Sequence, residues 1–475
     1  MAAAVFSLSN MPPHGAMLGP LLASLLWLLA LVLWRVWGAA AEPGPGTVPC
    51  VSCRPRAMAE LRRQLQRHFL EALQADEPLQ AEQLLSTGRL DIDTVLEVDD
   101  PSMHLASYKQ GYWLPEHKLE KSWAMALHVC VLYNSLQCAT LLIQRGAALN
   151  RMPNGKTPLH VACEASNPQS VQLLLQSGAK LRARSLSGHT ALHHCVSAQA
   201  EACARLLLTH GADVNAVSSS HDEVTPLHTA ARFGVPELVA LYLQHGARVD
   251  ALDSSLETPL MTAVFWAYDS REQSYSPQHQ QVCRLLLEHG ADPNAREEDH
   301  KTALHKAAWS CDQKLLQMLL EAGADPRALD LNLCSPLHYL LEVSSVRPGS
   351  TPEACFQLLL NYSAPCLHPA QFHKVLLVCH EQPLVVEVMA NCYDRLRPNS
   401  KWSSSVPHCC YQRHRTFFDS LFWASCSPRS LMHLSRCALR TALSRGGGCE
   451  RGARSLPLPP SLQAYVLLQP QGLLD

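Results

Sequence analysis

Histidine and cysteine are the residue types here that could hold a metal ion or move a proton, so their spacing is weighed first. Histidine recurs at positions 128, 160, 193, 228, 305 and 338, and residues 193–195 read His-His-Cys. A zinc site needs four converging Cys, His or carboxylate donors, commonly as two closely spaced pairs. Cys50-Val51-Ser52-Cys53 is one C-x-x-C without a second pair at that spacing, and Cys409-Cys410 is a bare dipeptide. No residue is assigned to a metal on these grounds. A phosphate-binding loop, a dinucleotide glycine pattern and a G-x-S-x-G elbow are also missing. No nucleophile stands with a supporting base. The expectation is a protein with no catalytic residue and no cofactor.

The histidines belong instead to a period. Gly155 to Leu181 reads GKTPLHVACEASNPQSVQLLLQSGAKL. Its T-P-L-H returns at Thr190–His193, Thr225–His228, Thr258–Met261, Thr302–His305 and Ser335–His338, with a weaker copy at Met125–His128. The fourth positions, 128, 160, 193, 228, 261, 305 and 338, are separated by 32, 33, 35, 33, 44 and 33 residues. Thr caps a helix and Pro is tolerated at its first position. A second apolar run follows, such as Leu206-Leu207-Leu208, and then a glycine: 146, 178, 211, 246, 290 or 323. Glycine there allows the left-handed turn that ends a helix. This pattern resembles the ankyrin repeat, which implies stacked helix pairs and a structural histidine bonding between turns. Eight repeats are expected over 66–366, the first and last degenerate.

Two insertions break the period. Residues 97–121 carry Tyr112 and Trp113, and the 44-residue step carries Trp266 and Tyr268. These aromatics are the candidate substrate contacts, since aromatic side chains anchor interfaces; packing over a neighbouring repeat is the alternative. Asn150, Asn215 and Asn294 fall at the hairpin position where ankyrin proteins can be hydroxylated. That role is implied by the resemblance alone, and Asn is otherwise simply a turn former. Asn361-Tyr362-Ser363 fits a glycosylation sequon, of consequence only in a secreted chain.

After short bridging helices over 367–425 comes SPRSLMHLSRCALRTALSRGGG. Ser427 and Pro428 read as a helix cap and first residue, and Gly446–Gly448 as a stop. Leu431, Leu434, Ser435, Ala438, Leu439, Ala442 and Leu443 lie at i, i+3, i+4, i+7, i+8, i+11 and i+12, one apolar stripe with Arg436 and Arg440 off it. The run GGGCERGARS then leads into LPLPPSLQAYVLL, where Pro459-Pro460 can start another helix. About forty residues cannot bury both stripes, so the unit must dock on the repeats or be completed by partners.

Ser430-Leu431, Ser435 and Leu439, followed by Leu456-Pro457-Leu458-Pro459, resemble a SOCS box over 426–470. A repeat array ending in that element resembles the ankyrin repeat and SOCS box family. Asp91–Pro115 looks most like its fourth member. The fold class implied is all-α, an ankyrin solenoid followed by a helical SOCS box. The resemblance implies a substrate-recognition subunit of a cullin-5-type ubiquitin ligase. Leu431, Leu434, Ser435 and Leu439 would bind elongin C, which brings elongin B. Leu456, Pro457, Leu458 and Pro459, the prolines presenting the leucines, would bind cullin-5 with its RING protein. The repeats would hold an unidentified protein substrate. Ser435 stands where the elongin-binding element commonly carries Cys, and GGGCERGARS is polar where a large aliphatic often precedes the cullin element. The alternative is a repeat scaffold, membrane-anchored or not, whose tail merely caps the solenoid.

Composition bounds these readings. The net charge of −2 over 475 residues gives no electrostatic argument for nucleic acid. Nineteen cysteines, many inside apolar helical patterns, suit a reducing compartment. Ala16–Trp34 is an uncharged apolar stretch followed by Arg35, Arg54 and Arg56. It is compatible with a membrane anchor that keeps the rest in the cytosol, with a signal peptide cut near Ala41, or with an atypical first segment. Residues 1–41 form that segment and 42–65 a linker. The location expected is cytoplasmic, with or without a tether.

Overall fold

The computed structural model describes residues 54–98, 122–269, 274–345, 351–445 and 449–470. The apolar Ala16–Trp34, the Cys50/Cys53 pair, Tyr112 and Trp113 lie outside these residues. The chain divides after Arg63; of the unit before it, only the start of the helix Arg54–Gln74 is described, and everything from Gln64 onward belongs to the second unit.

Helix pairs then follow one another. The first members are Ala126–Leu132, Pro158–Glu164, Pro226–Arg232, Pro259–Trp266, Ala303–Ser310 and Pro336–Val343. The second members are Leu136–Gln144, Pro168–Gln176, Glu201–Thr209, Pro236–Gln244, Pro277–Glu288, Gln313–Glu321 and Pro352–Asn361. In the repeat that begins at Thr190 the first helix is only a 3-10 turn, Ala191–His194. First members pack on first members and second on second, giving two layers around one continuous core from Phe69 to Leu468. The stack runs on past residue 366: Phe372–Cys379 and Pro383–Ala390 form another pair, seated on the pair before it. The described strands are two short antiparallel ribbons, Val95–Val98 with Ser122–Met125 and Tyr268–Asp269 with Ser274–Tyr275, both flanking the places where the period breaks.

Local chemistry explains the repeat. The Thr157 N–H donates to His160 Nδ1 at 3.1 Å, and the His160 N–H reaches back to Thr157 Oγ1 at 3.4 Å. Thr225 with His228, Thr302 with His305 and Ser335 with His338 form the same reciprocal box. The opposite ring nitrogen ties one repeat to the next. Nε2 of His128, His193, His228 and His305 donates to the carbonyls of Lys156, Val224, Glu257 and Cys334 at 3.0–3.2 Å. The boxes need neutral imidazoles, because Nδ1 must accept the cap N–H while Nε2 donates. Burial supplies them: it pulls His128 down to about 4 and both His160 and His193 to about 3. All six glycines that close the second helices have φ between 82° and 93°. The 44-residue step hides a partial copy of the box: Ser276 Oγ caps Pro277–Glu288 and bonds His279 Nδ1 at 2.8 Å, while the Ser276 N–H goes to the Ala267 carbonyl instead.

Below the last pair, Trp402 is fully buried between Phe372 and Phe422, and Arg415–Cys426 completes a small bundle. Three tail helices follow: Leu431–Arg445, Cys449–Ser455 and Pro460–Val466.

Candidate partner interface

The first tail helix does not begin at Ser427. Ser427 precedes Pro428, is extended (ψ 158°), and closes the helix Arg415–Cys426. The cap is Ser430, whose Oγ accepts from the N–H of His433 at 3.1 Å. A fifteen-residue helix follows.

Its polar face is the one turned toward the solenoid. His433 is fully buried; Nε2 donates to the Tyr393 carbonyl at 2.8 Å, and Nδ1 accepts from Arg429 and Arg436. Burial, aided by the adjacent Arg429 charge, holds it down at about 4, so the ring is neutral. Arg436 is buried with its guanidinium 4.1 Å above the Tyr465 ring. Arg440 donates to Asn361 Oδ1 and the Val466 carbonyl, each at 2.7 Å, and to the Leu360 carbonyl at 3.1 Å. Asn361 is 2% exposed. Its Nδ2 donates to the Leu467 carbonyl at 2.9 Å and to Glu450 at 3.3 Å. Gln357 also donates to the Leu467 carbonyl, and Leu468 is buried in the solenoid core. A buried amide or guanidinium is costly unless its bonds are made, and here they are made across the junction. The sequon nitrogen at Asn361 is therefore spent inside the fold.

The apolar stripe consequently faces out. Leu431 is 81% exposed and Leu434 43%, with Met432, Ser435 and Ala438 exposed beside them. The expected set is split, because Leu439 and Leu443 turn toward Cys449, Ala453 and Val466 in a small tail core. An open cleft between this helix and the last repeats is lined by Leu434, Ala438, Cys366, Cys392 and Arg440. Burying a Leu is worth ~1.5–3 kcal/mol, so exposing Leu431 forgoes that much unless something else covers it.

At Leu456–Pro459 the leucines and prolines are arranged the opposite way to the expectation. Pro457 and Pro459 are exposed; Leu456 and Leu458 are half-buried, and Leu458 packs on the tail core. Gln463 Nε2 donates to both leucine carbonyls at 3.2 Å and holds the segment against its helix. Leu462 is exposed nearby. The helix Cys449–Ser455 lies in a run read from sequence as a polar break. Cys449 and Ala453, four apart, are fully buried, and Glu450 pairs with Arg454 at 2.6 Å, so i, i+4 spacing was the available signal.

Trp266 is 41% exposed at the end of its helix, with Arg232 4.7 Å from the ring. Tyr268 is half-buried, 5.2 Å from Tyr275 across its ribbon. Phe265, an aromatic of the same 44-residue step, is exposed beside Trp266, and Phe233 and Trp309, which the period did not single out, are exposed on or at the ends of neighbouring first helices. Asn150 Oδ1 accepts from Lys180 N at 2.8 Å. Asn215 and Asn294 bond Arg248 N and Asp325 N in the next hairpin and donate to the Gly246 and Gly323 carbonyls.

Comparison with known proteins fits this geometry. The SOCS box family pattern matches residues 427–467, and ankyrin-repeat patterns match 127–218, 222–254 and 273–330. The chain is 38% identical to mouse (Mus musculus) "Ankyrin repeat and SOCS box protein 16" over 79% of its length and 80% of that protein. It is 38% identical to human (Homo sapiens) "Ankyrin repeat and SOCS box protein 18" over 77% of its length and 76% of that protein. It is 35% identical to human "Ankyrin repeat and SOCS box protein 10" over 67% of its length and 75% of that protein. The likeness of Asp91–Pro115 to the fourth member finds no support among these three. With its stacked repeats and a tail whose apolar face is turned outward, this chain belongs to the ankyrin repeat and SOCS box family.

Proposed function

We propose that this chain is the substrate-recognition subunit of an elongin–cullin–SOCS-box ubiquitin ligase of the cullin-5 type, and that it supplies no catalytic residue itself. The observation that carries the reading is the inverted helix Leu431–Arg445. Its His and Arg side chains are consumed by the solenoid, and Leu431 and Leu434 are left in solvent. A helix that spends its polar face inward and shows leucines outward is one side of a helix-in-groove contact. Elongin C with elongin B is the partner that the SOCS box implies. Pro457, Pro459 and Leu462, on the exposed side of the tail, are the surface offered to cullin-5 and its RING protein.

The exposed aromatics Phe265, Trp266 and Trp309, interleaved with Arg232 and Lys306, are the surface proposed for the protein substrate. Fixing both partners on one rigid stack would raise the effective concentration of substrate beside the loaded ubiquitin enzyme.

The test is co-expression with elongins B and C followed by affinity purification. The wild-type chain should bring down both elongins, and Leu431→Asp should bring down neither while eluting as a folded species of unchanged melting temperature. Equal recovery with both chains would favour the other reading, a scaffold whose tail only caps the solenoid. Trp266→Ala should keep the elongins and lose captured proteins.

A further inference from the structure

The cleft between the helix Leu431–Arg445 and the last repeats carries chemistry that partner binding leaves unused. It encloses about 940 Å³, room for a ligand the size of a small peptide. The thiols of Cys366, Cys392 and Cys437 line it, together with the guanidinium groups of Arg327 and Arg440 and the carboxylate of Asp394. Cys366 is exposed, whereas Cys392 and Cys437 are half-buried. Arg327 Nε donates to the Ser363 carbonyl at 3.1 Å, which anchors the guanidinium and leaves its two terminal nitrogens for a ligand. Arg440 is held by the three bonds already described, so its charge stands at a fixed place. A hydrogen bond with Cys392, and after it the Arg440 charge, draw the Cys366 thiol below its ordinary range, although burial pushes the other way. Burial raises both Cys392 and Cys437. Cys392 Sγ also donates to the Val388 carbonyl at 3.3 Å, which helps to hold its proton.

We infer that this cleft is a modification site, where Cys366 takes up a small acidic, amine-bearing peptide thiol of the glutathione kind from its disulfide. The Cys366 thiolate attacks one sulfur of the small disulfide. A bond forms between Cys366 Sγ and that sulfur, the small S–S bond breaks, and the departing thiolate takes a proton from water. The small disulfide is itself the oxidant. The charges of such a ligand match the lining: one carboxylate pairs with the terminal nitrogens of Arg327, Arg440 attracts the second, and the ammonium meets Asp394. Cys392, held protonated, is a poor attacker of the new bond, so the adduct persists. Leu434 lines the same cleft, so the adduct stands against the stripe offered to elongin C and weakens that contact. This consequence, unlike the adduct itself, rests on the function proposed above.

The experiment treats the reduced full chain with oxidised glutathione and follows each cysteine by peptide mass spectrometry. Cys366 should gain one glutathionyl group about tenfold faster than Cys409 and Cys426, the other exposed thiols among the described residues. Cystamine, a disulfide with two ammonium groups and no carboxylate, should label Cys366 several-fold more slowly, and Arg327→Ala should narrow that difference. Cys366→Ser should leave the cleft unlabelled. Thermal unfolding checks that each variant is folded. The labelled wild-type chain should recover less elongin B and C than the reduced chain, and dithiothreitol should restore the recovery. Labelling of Cys366 no faster than that of Cys409 and Cys426, equal rates with cystamine, or a Cys366–Cys392 disulfide in place of the adduct would overturn the assignment. Unchanged elongin recovery by the labelled chain would overturn the occlusion of the stripe. A reduced chain that binds no elongin would count against the proposed function, while the mass readout still decides the cleft.

Discussion

Asn361 is the residue on which the tail turns. Its amide oxygen takes a bond from Arg440, and its nitrogen gives bonds to the Leu467 carbonyl and to Glu450. Asn361→Leu would take one bond each from the Arg440 guanidinium and the Leu467 carbonyl, which keep their others, at ~0.5–1.5 kcal/mol apiece. The expected outcome is a tail that loosens before the repeats melt. Limited proteolysis should cut first between Arg429 and Arg454, with the repeats intact. The exposed leucines are the converse case. Leu431→Ala removes a side chain that the chain itself hardly touches, so its stability should change by less than about 0.5 kcal/mol in thermal unfolding. A larger loss would mean that Leu431 is packed in solution.

At the scale of the element, the repeat histidines make the stack sensitive to acid. Each is buried neutral, with its folded pKa below the ordinary 6.5, as at His128 (about 4) and His193 (about 3). The unfolded chain therefore binds protons, from about pH 6.5 downward, that the folded chain refuses. Their contribution is complete above pH 6.5 and is lost as the pH falls toward 4, at roughly 1–3 kcal/mol per histidine. The melting temperature should be flat from pH 7 to 8 and drop steeply between pH 6 and 4, and His228→Gln should flatten part of that drop. These boxes were legible in sequence because Thr, Pro, Leu and His act within four residues of one another. The orientation of the first tail helix was not. Periodicity shows that a stripe exists, but burial depends on partners 40 and 79 residues away, Tyr393 for His433 and Asn361 for Arg440. The helix Cys449–Ser455 was missed because Gly452 and the preceding glycines read as a break. Gly452 is instead a close-contact position, where a Cβ would lie 2.8 Å from Leu443 Cδ2.

At the scale of the whole molecule, one continuous core joins the repeats to Leu468, so the solenoid and tail are coupled mechanically. The surface proposed for the substrate at Trp266 and the tail helix are then fixed on one body, as the proposed positional mechanism requires. Among the described residues, no helix is long and apolar enough to cross a membrane. The central claim is that the outward stripe of Leu431–Arg445 is completed by the elongin pair. The most direct measurement is calorimetric titration of purified elongin B–C into the purified chain at several temperatures. Binding should be one-to-one with a negative heat-capacity change from apolar burial, abolished by Leu434→Asp and retained by Trp266→Ala. Absence of binding by the wild-type chain, or equal binding by Leu434→Asp, would contradict it.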